Sequence, residues 1–365
     1  IESIEILCEL YLLNDEKNKA FKLFKKLSTI DPDNGRAHLT LADYYRENGE
    51  QQKSYNELKL AFKSKSLTAE IKIKILISYY QLIEINEEMK LQAYELADLL
   101  IKTHPEDLTA KIIFADILYT DQKYKEAKEQ YLIVLENDKS QNQVWGQLLF
   151  IQAEQNDFEG ILKTSKEALD YFPIEPLFYY FNGLSNKWFK NYKEAISSFK
   201  AGVEFIVENP KLRLEIYSSL AEIYHTIEQH KISDEYYEKV LDIDPENVFA
   251  LNNYAYYLSL RKINLEKAKK MSLKSNEIDK QNGTYQDTYA WVLYQLKEYH
   301  QSKKWLVKSL ENGGNKSAII IEHYGDVLYQ LGEFEEAVNQ WKRAKLLGVG
   351  SDFLEKKIQD KKLYE

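Results

Sequence analysis

Six histidines come first, because imidazole serves both acid–base catalysis and metal binding. They stand at His38, His104, His225, His230, His300 and His323, scattered along the chain. His225 and His230 are five residues apart. On one helix that spacing gives different faces, a poor metal pair. The single thiol, Cys8, takes a small-residue position in a helical hairpin. It reads as a small buried hydrophobe rather than a nucleophile. Carboxylates are many, but on helices they read as solvated faces and as i,i+4 partners of lysine. No H-E-x-x-H, G-x-G-x-x-G, P-loop or G-x-S-x-G occurs. Gly313-Gly314 follows a helical stretch and is read as a C-terminal cap and loop. No catalytic residue, metal ligand or cofactor is expected, and the chain is not expected to be an enzyme.

The elements that would position any binding group are helical. Gly (13) and Pro (6) are scarce among 365 residues, and Tyr (28) is abundant. Such a length exceeds one ordinary core, so it implies either two domains or a continuous repeat array. The formal net charge is −9 with both signs mixed, which argues against nucleic acid as the main ligand. One cysteine rules out an intrachain disulfide and leaves the compartment open. No apolar run reaches roughly 18 residues, so no membrane span is expected. The chain opens at Ile1 inside an apolar helical pattern, which reads as a fragment or processed chain.

A period is visible. Tyr124-Lys125-Glu126-Ala127 recurs at Tyr192-Lys193-Glu194-Ala195, 68 residues on, and Pro105 and Pro173 are also 68 apart. Half of that is 34 residues. Ile30-Asp31-Pro32-Asp33-Asn34 and Ile243-Asp244-Pro245-Glu246-Asn247 mark equivalent exits. On these residues the chain resembles the tetratricopeptide-repeat (TPR) family. The family pattern of large, small and aromatic residues falls on Leu7, Cys8, Tyr11, Ala20, Phe24, Leu27 and Pro32 in the first repeat. In the seventh it falls on Leu220, Ala221, Tyr224, Ser233, Tyr237, Val240 and Pro245, and in the last on Tyr324, Gly325, Leu328, Ala337, Trp341 and Ala344. The resemblance implies an all-α, right-handed α-α superhelix of about ten helix-turn-helix repeats over residues 1–348. Repeats start near 1, 35, 69, 108, 142, 176, 214, 248, 283 and 318, and a capping helix fills 349–365. Ser351 or Asp352 would cap that helix, with Phe353, Leu354 and Ile358 on one face. Extra residues fall near Ile85–Met89, Ile206–Arg213 and Lys262–Asn264.

In this family the first helix of each repeat lines a concave groove that holds the ligand. Projected on this sequence, the early groove is charged, with Glu2, Glu5, Glu9, Arg36, Asp43 and Arg46, followed by Ile73, Ile77 and Tyr80. From the fifth repeat onward it turns aromatic and amide-rich. The candidate peptide- or protein-binding residues there are Tyr180, Phe249, Asn252, Asn253, Tyr256, Asp287, Trp291, Tyr294, Glu322, His323 and Tyr329, with Phe150 before them. Asn side chains can satisfy both groups of a peptide backbone, and aromatics give stiff contact area. Trp145, Trp188, Trp305 and Trp341 are read as core. Asp287 is balanced between capping its helix and binding. The Lys, Asn and Arg set by which one TPR subtype clamps a carboxylate is missing, since Asp287, Glu322 and Glu222 stand at the facing positions. An acidic, aromatic groove favours a basic or apolar segment.

The resemblance therefore implies a non-catalytic protein-interaction scaffold whose partner is a protein or peptide. The alternative is a regulatory region of a longer enzyme or signalling protein. Asn252–Leu260, Asp287–Leu296 and Glu322–Leu331 resemble bacterial TPR proteins, many of them envelope lipoproteins, and residue usage is similar to that of Bacteroidota. A periplasmic or outer-membrane-associated setting follows as the expectation, with a cytoplasmic one as the alternative. Self-association through the first hairpin is a further expectation.

Overall fold

The structure is a computed structural model that describes residues 2–80, 86–348 and 350–364, without the side chains of Glu2 and Tyr80. The described residues are helical, with no strand among them. The extra residues expected near Ile85–Met89 lie partly outside the described residues, and so do the side chains of the groove candidates Glu2 and Tyr80.

The chain divides into two compact units, Ile1–Ser185 and Asn186–Glu365. The first holds α1 (Glu2–Leu13), α2 (Lys17–Ile30), α3 (Gly35–Glu47), α4 (Gln51–Lys63), α5 (Ala69–Tyr80), α6 (Glu87–Thr103), α7 (Leu108–Thr120), α8 (Tyr124–Asn137), α9 (Asn142–Glu154) and α10 (Phe158–Tyr171). It also holds most of α11 (Pro176–Trp188). The second holds α12 (Tyr192–Phe205), α13 (Pro210–Thr226), α14 (His230–Ile243), α15 (Val248–Leu260), α16 (Leu265–Ile278), α17 (Gly283–Gln295), α18 (Tyr299–Glu311), α19 (Ala318–Gln330), α20 (Phe334–Leu347) and α21 (Leu354–Asp360). A short 3-10 turn, Gly314–Lys316, precedes α19.

Local chemistry repeats from hairpin to hairpin. Asn34, Asp107, Asn247 and Asn282 stand just before first helices and accept hydrogen bonds from the opening N–H groups. Inside the hairpins the small positions meet. Ser54, Ser233 and Ser302 donate to the carbonyls of Ala42, Ala221 and Ala290 at 2.7–2.8 Å. A larger residue at either place would push the helices apart. The tight turns use one left-handed residue each, such as Gln122, Asn156 and Glu228, or Gly49 and Gly332. The one-residue excess at Lys262–Asn264 is absorbed by two left-handed residues, Lys262 and Asn264. The excess near Ile206–Arg213 instead lengthens a helix. α13 starts at Pro210, with Asn209 accepting from Leu212 N, rather than near 214.

The cores are stacks of these positions: Tyr131, Val134 and Trp145 in the first unit, Tyr237, Tyr254 and Ala255 in the second. Cys8 is fully buried with Ala20 and Phe24. α1 leaves Ile6, Leu10 and Leu13 exposed along one side. Trp145 and Trp341 are buried, and Trp305 is half-buried against the edge of Tyr289. Trp188, expected in the core, is instead 63% exposed. It is the last residue of α11, beside the turn at Lys190, where the chain leaves the packed face.

The closest approach in the last hairpin is Gly325. A Cβ there would stand 2.5 Å from Cδ1 and 2.6 Å from Nε1 of Trp341, a fully buried ring that cannot swing aside. Gly325→Ala is expected to destabilise the second unit by about 1–2 kcal/mol despite the gain in helix propensity. Chemical denaturation would read it, and an unchanged midpoint would contradict this packing.

Candidate functional site

The first helices α15, α17 and α19 pack side by side in the second unit. α17 carries Asp287, Trp291 and Tyr294 at spacings of four and three, which puts them on one face. Tyr256 from α15 and Glu322 and His323 from α19 meet that face. The segment after α20 folds back over it. Together they enclose a pocket of about 380 Å³ lined by Tyr256, Trp291, Ile319, His323, Phe353 and Tyr364, among others.

The rings form a stack. Trp291 lies parallel to Tyr294 (centroids 4.6 Å, 6° between planes) and to His323 (3.9 Å, 16°). Nδ1 of His323 donates to both oxygens of Asp287, at 2.9 and 3.1 Å. Asp287 therefore does not cap its helix. Asn282 does, and Asp287, a turn further on, is buried against the imidazole. Burial works against charge on His323, but Asp287, with Asp326 and Glu322 behind it, outweighs burial and holds the imidazole above its ordinary pKa.

Lys357 closes the site from below. Only 3% exposed, it donates to Glu322 Oε1 (2.9 Å) and to Asp326 Oδ1 and Oδ2 (2.9 and 2.7 Å). Ser351 N donates to Glu322 Oε2 at 2.7 Å, Ser351 Oγ bonds Glu322 Oε1, and Trp341 Nε1 donates to Asp326 Oδ1 at 2.8 Å. Burial pushes the Asp326 carboxyl up to about 6, against the pull of Lys357. At Glu322 burial also pushes upward, but the bonds from Ser351 and Lys357 outweigh it and hold its carboxyl below the ordinary value. Glu322 is thus no free groove carboxylate, because the chain's own lysine occupies it.

α21 does more than cap. Leu354 and Ile358 pack on the last hairpin as expected. Phe353, expected on the same face, is 43% exposed and lines the pocket. Neither Ser351 nor Asp352 caps the helix by side chain; Ser351 Oγ instead accepts from Phe353 N at 3.3 Å.

The structure brings together Tyr256, Trp291, Tyr294, Asp287, Glu322 and His323. Asn252 is buried one turn from Tyr256 and donates to Asn253 Oδ1 at 3.0 Å, while its own Oδ1 has no partner. Phe249 is exposed on α15. Tyr329 is drawn away from the pocket, since it lies against Phe334 and the core ring of Trp341. Tyr180 belongs to the first unit and packs on Phe181. The charged early positions are paired: Glu9 with Arg36 at 2.7 Å, Asp43 with Arg46 at 2.8 Å, and Glu5 with Asn34 at 2.7 Å. His225 and His230 are not on one helix. They end α13 and begin α14, with ring centroids 5.2 Å apart, and no metal-binding group of three or more ligands occurs among the described residues.

Ile319, Asp326, Ser351, Phe353, Lys357 and Tyr364 were not anticipated in the site. Ile319 and Asp326 stand at the second and ninth places of their repeat, the same places that Thr284 and Trp291 hold in the repeat before. That register could have found them. Lys357 becomes legible only if α21 is read as the start of a further repeat, which puts it near the fifth or sixth place.

The state of His323 gives stability a pH dependence. A raised folded-state pKa means that its contribution is complete below its ordinary value of about 6.5 and is lost as pH rises through the raised value. The second unit is therefore expected to weaken from about pH 6.5 upward, and His323→Asn to flatten that slope. Urea midpoints across this range would read it; parallel slopes in both proteins would contradict the charge assignment.

Comparison with known proteins bears on the fold. The tetratricopeptide-repeat family model matches residues 214–247. The chain is similar to the type IV pilus assembly protein PilF of Pseudomonas aeruginosa, with 28% identity over 125 residues, 34% of this chain and 49% of that protein. It thus spans about half the length of that curated relative. Among solved structures, the Cut9–Hcn1 hetero-tetramer is similar with a TM-score of 0.55 at 11% identity, covering 97% of this chain and 74% of that one. A tetratricopeptide-repeat protein of Parabacteroides merdae is similar with a TM-score of 0.52 at 13% identity, covering 70% and 98%. The likeness to these solved structures is one of fold, an all-helical array of stacked hairpins. No helix among the described residues is long and apolar enough to cross a membrane.

Proposed function

We propose that this chain, a tetratricopeptide-repeat protein, holds an extended segment of a protein partner on the face formed by α15, α17 and α19. The observation that carries this reading is the aromatic pocket of about 380 Å³ on that face. Its size and apolar walls suit one anchoring side chain of a bound peptide. An apolar anchor is favoured over a basic one, because Glu322 and Asp326 are already neutralised by Lys357 and Asp287 is paired with His323. The setting we propose is assembly at a bacterial envelope, supported by the relative that is a type IV pilus assembly protein. A display library of twelve-residue peptides, selected on the full chain and then measured against Tyr256→Ala, tests the reading. Peptides that bind both proteins equally would overturn it.

A further inference from the structure

One wall of the pocket does not belong to a repeat. Leu260 ends α15, Ile319 stands in the first turn of α19, and Phe353 immediately precedes α21. All three line the same pocket, and they are 44%, 47% and 43% exposed. A single exposed apolar side chain is ordinary, but three from separate elements around one cavity form a patch. The floor is different. Trp291, His323, Asp326 and Lys357 are each at most 8% exposed, so a ligand meets little of them. What a ligand can touch is the rim: Leu260, Ile319 and Phe353, with the half-buried Tyr256 and Tyr364. Phe353 and Tyr364 come from the segment after α20.

A wall can select a ligand only if it keeps its place. This one is fastened at several points. Leu354, Ile358 and Leu363 pack on the last hairpin. Ser351 and Lys357 bond the buried Glu322, and Lys357 bonds Asp326 as well. Tyr364 Oη donates to Asp360 Oδ2 at 2.6 Å, and Lys356 Nζ lies 4.2 Å from the centre of its ring. The backbone N–H of Lys357 donates to the carbonyl of Phe353 at 2.8 Å. The main chain of Phe353 is thus tied to the anchoring lysine while its ring stays open to the pocket.

The acids of the floor leave the choice to this rim. Glu322 and Asp326 are engaged by Lys357, and Asp287 is engaged by His323. We infer that the tail is the selecting wall: Phe353, with Ile319 and Leu260, sets the size and the apolar character of the one peptide side chain that the pocket accepts. This rests on the peptide-holding reading above and adds the residue that determines specificity.

The test selects acetylated and amidated twelve-residue peptides on the full chain as wild type, as Phe353→Ala and as Phe353→Glu. Peptides selected on the wild type are expected to bind Phe353→Ala about 5- to 10-fold more weakly, the loss of one ring from the contact. Selection on Phe353→Glu is expected to bring lysine or arginine to the anchor place, because one free carboxylate then stands in a pocket whose own acids are engaged. A wild-type-selected peptide carrying p-benzoylphenylalanine at its anchor place is expected to crosslink to residues 350–364 of the unaltered chain, and this decides alone should the variants not fold. Unchanged affinity in Phe353→Ala, one consensus from all three proteins, or a crosslink that leaves 350–364 unmarked, with binding still lost in Tyr256→Ala, would overturn this inference and leave the peptide-holding reading standing. Peptides indifferent to Tyr256→Ala as well would overturn that reading itself.

Discussion

Lys357→Met is expected to destabilise the second unit by about 3–5 kcal/mol, the cost of leaving buried carboxylates without their cation. Lys357 is 3% exposed, and both partners, Glu322 and Asp326, are 2% exposed. Water cannot replace the ammonium group at such a place. The effect should depend on pH in one direction. Burial already pushes Asp326 up to about 6, so removal of Lys357 will raise it further. At pH 5 the carboxyl then takes up a proton and the cost shrinks; at pH 8 it is paid in full. Adding Glu322→Gln and Asp326→Asn to the variant should recover a large part of the loss, because no unpaired charge is then buried. Chemical denaturation at both pH values reads all of this. A loss below about 0.5 kcal/mol at pH 8 would place Lys357 among ordinary surface pairs. The same substitution should release Phe353 and Tyr364 from the pocket, since the segment that carries them is tied to α19 through Lys357 and Ser351.

The second large effect is on binding. Tyr256→Ala is expected to weaken a groove peptide at least about 30-fold, the roughly 2 kcal/mol or more lost when an interface aromatic is truncated. Tyr256 is half-buried, so the fold should tolerate the change better than at its neighbour. Trp291→Ala should abolish binding as well, but it removes a ring 92% buried between Tyr294 and His323, and about 3–5 kcal/mol of stability with it. The two variants thus separate contact from scaffold. Loss of binding in Tyr256→Ala with an unchanged unfolding midpoint is attributable to the face itself. Isothermal titration beside thermal unfolding makes the comparison.

The repeat was legible because packing at close quarters admits few residues. Ala42, Ala221, Ala290 and Gly325 each face a second helix at the same register, and that register is written every 34 residues or so. Tyr256 and Trp291 were expected in the groove for a related reason. Tyr254, Ala255, Tyr289 and Ala290 already fill the core positions of α15 and α17, leaving the neighbouring rings for the other face. Trp291 is instead buried in a cluster with Ala290, Tyr294 and Leu306, against which the half-buried Tyr256 packs. The capping helix was legible through Leu354 and Ile358, but the ion pairs of the tail were not. Lys357 lies 35 residues beyond Glu322 and 31 beyond Asp326, on a helix of seven residues that carries no repeat pattern of its own. Its pairing with two buried acids depends on a fold-back that periodicity does not encode. The same gap explains why the groove reads acidic in the sequence: charges are counted there without their partners. Trp188 failed for the converse reason, since residue type was weighed without its place at a helix end.

The claim at the centre is that the α15–α17–α19 face holds a peptide by an apolar anchor. The most direct measurement is one selection of capped twelve-residue peptides on the wild-type chain, with the Tyr256→Ala protein as counter-target. The expected result is a set of sequences sharing an apolar or aromatic residue, each bound by the wild type and weakened at least about 30-fold by the substitution. Peptides recovered equally on both proteins, or a consensus of lysine and arginine, would contradict it.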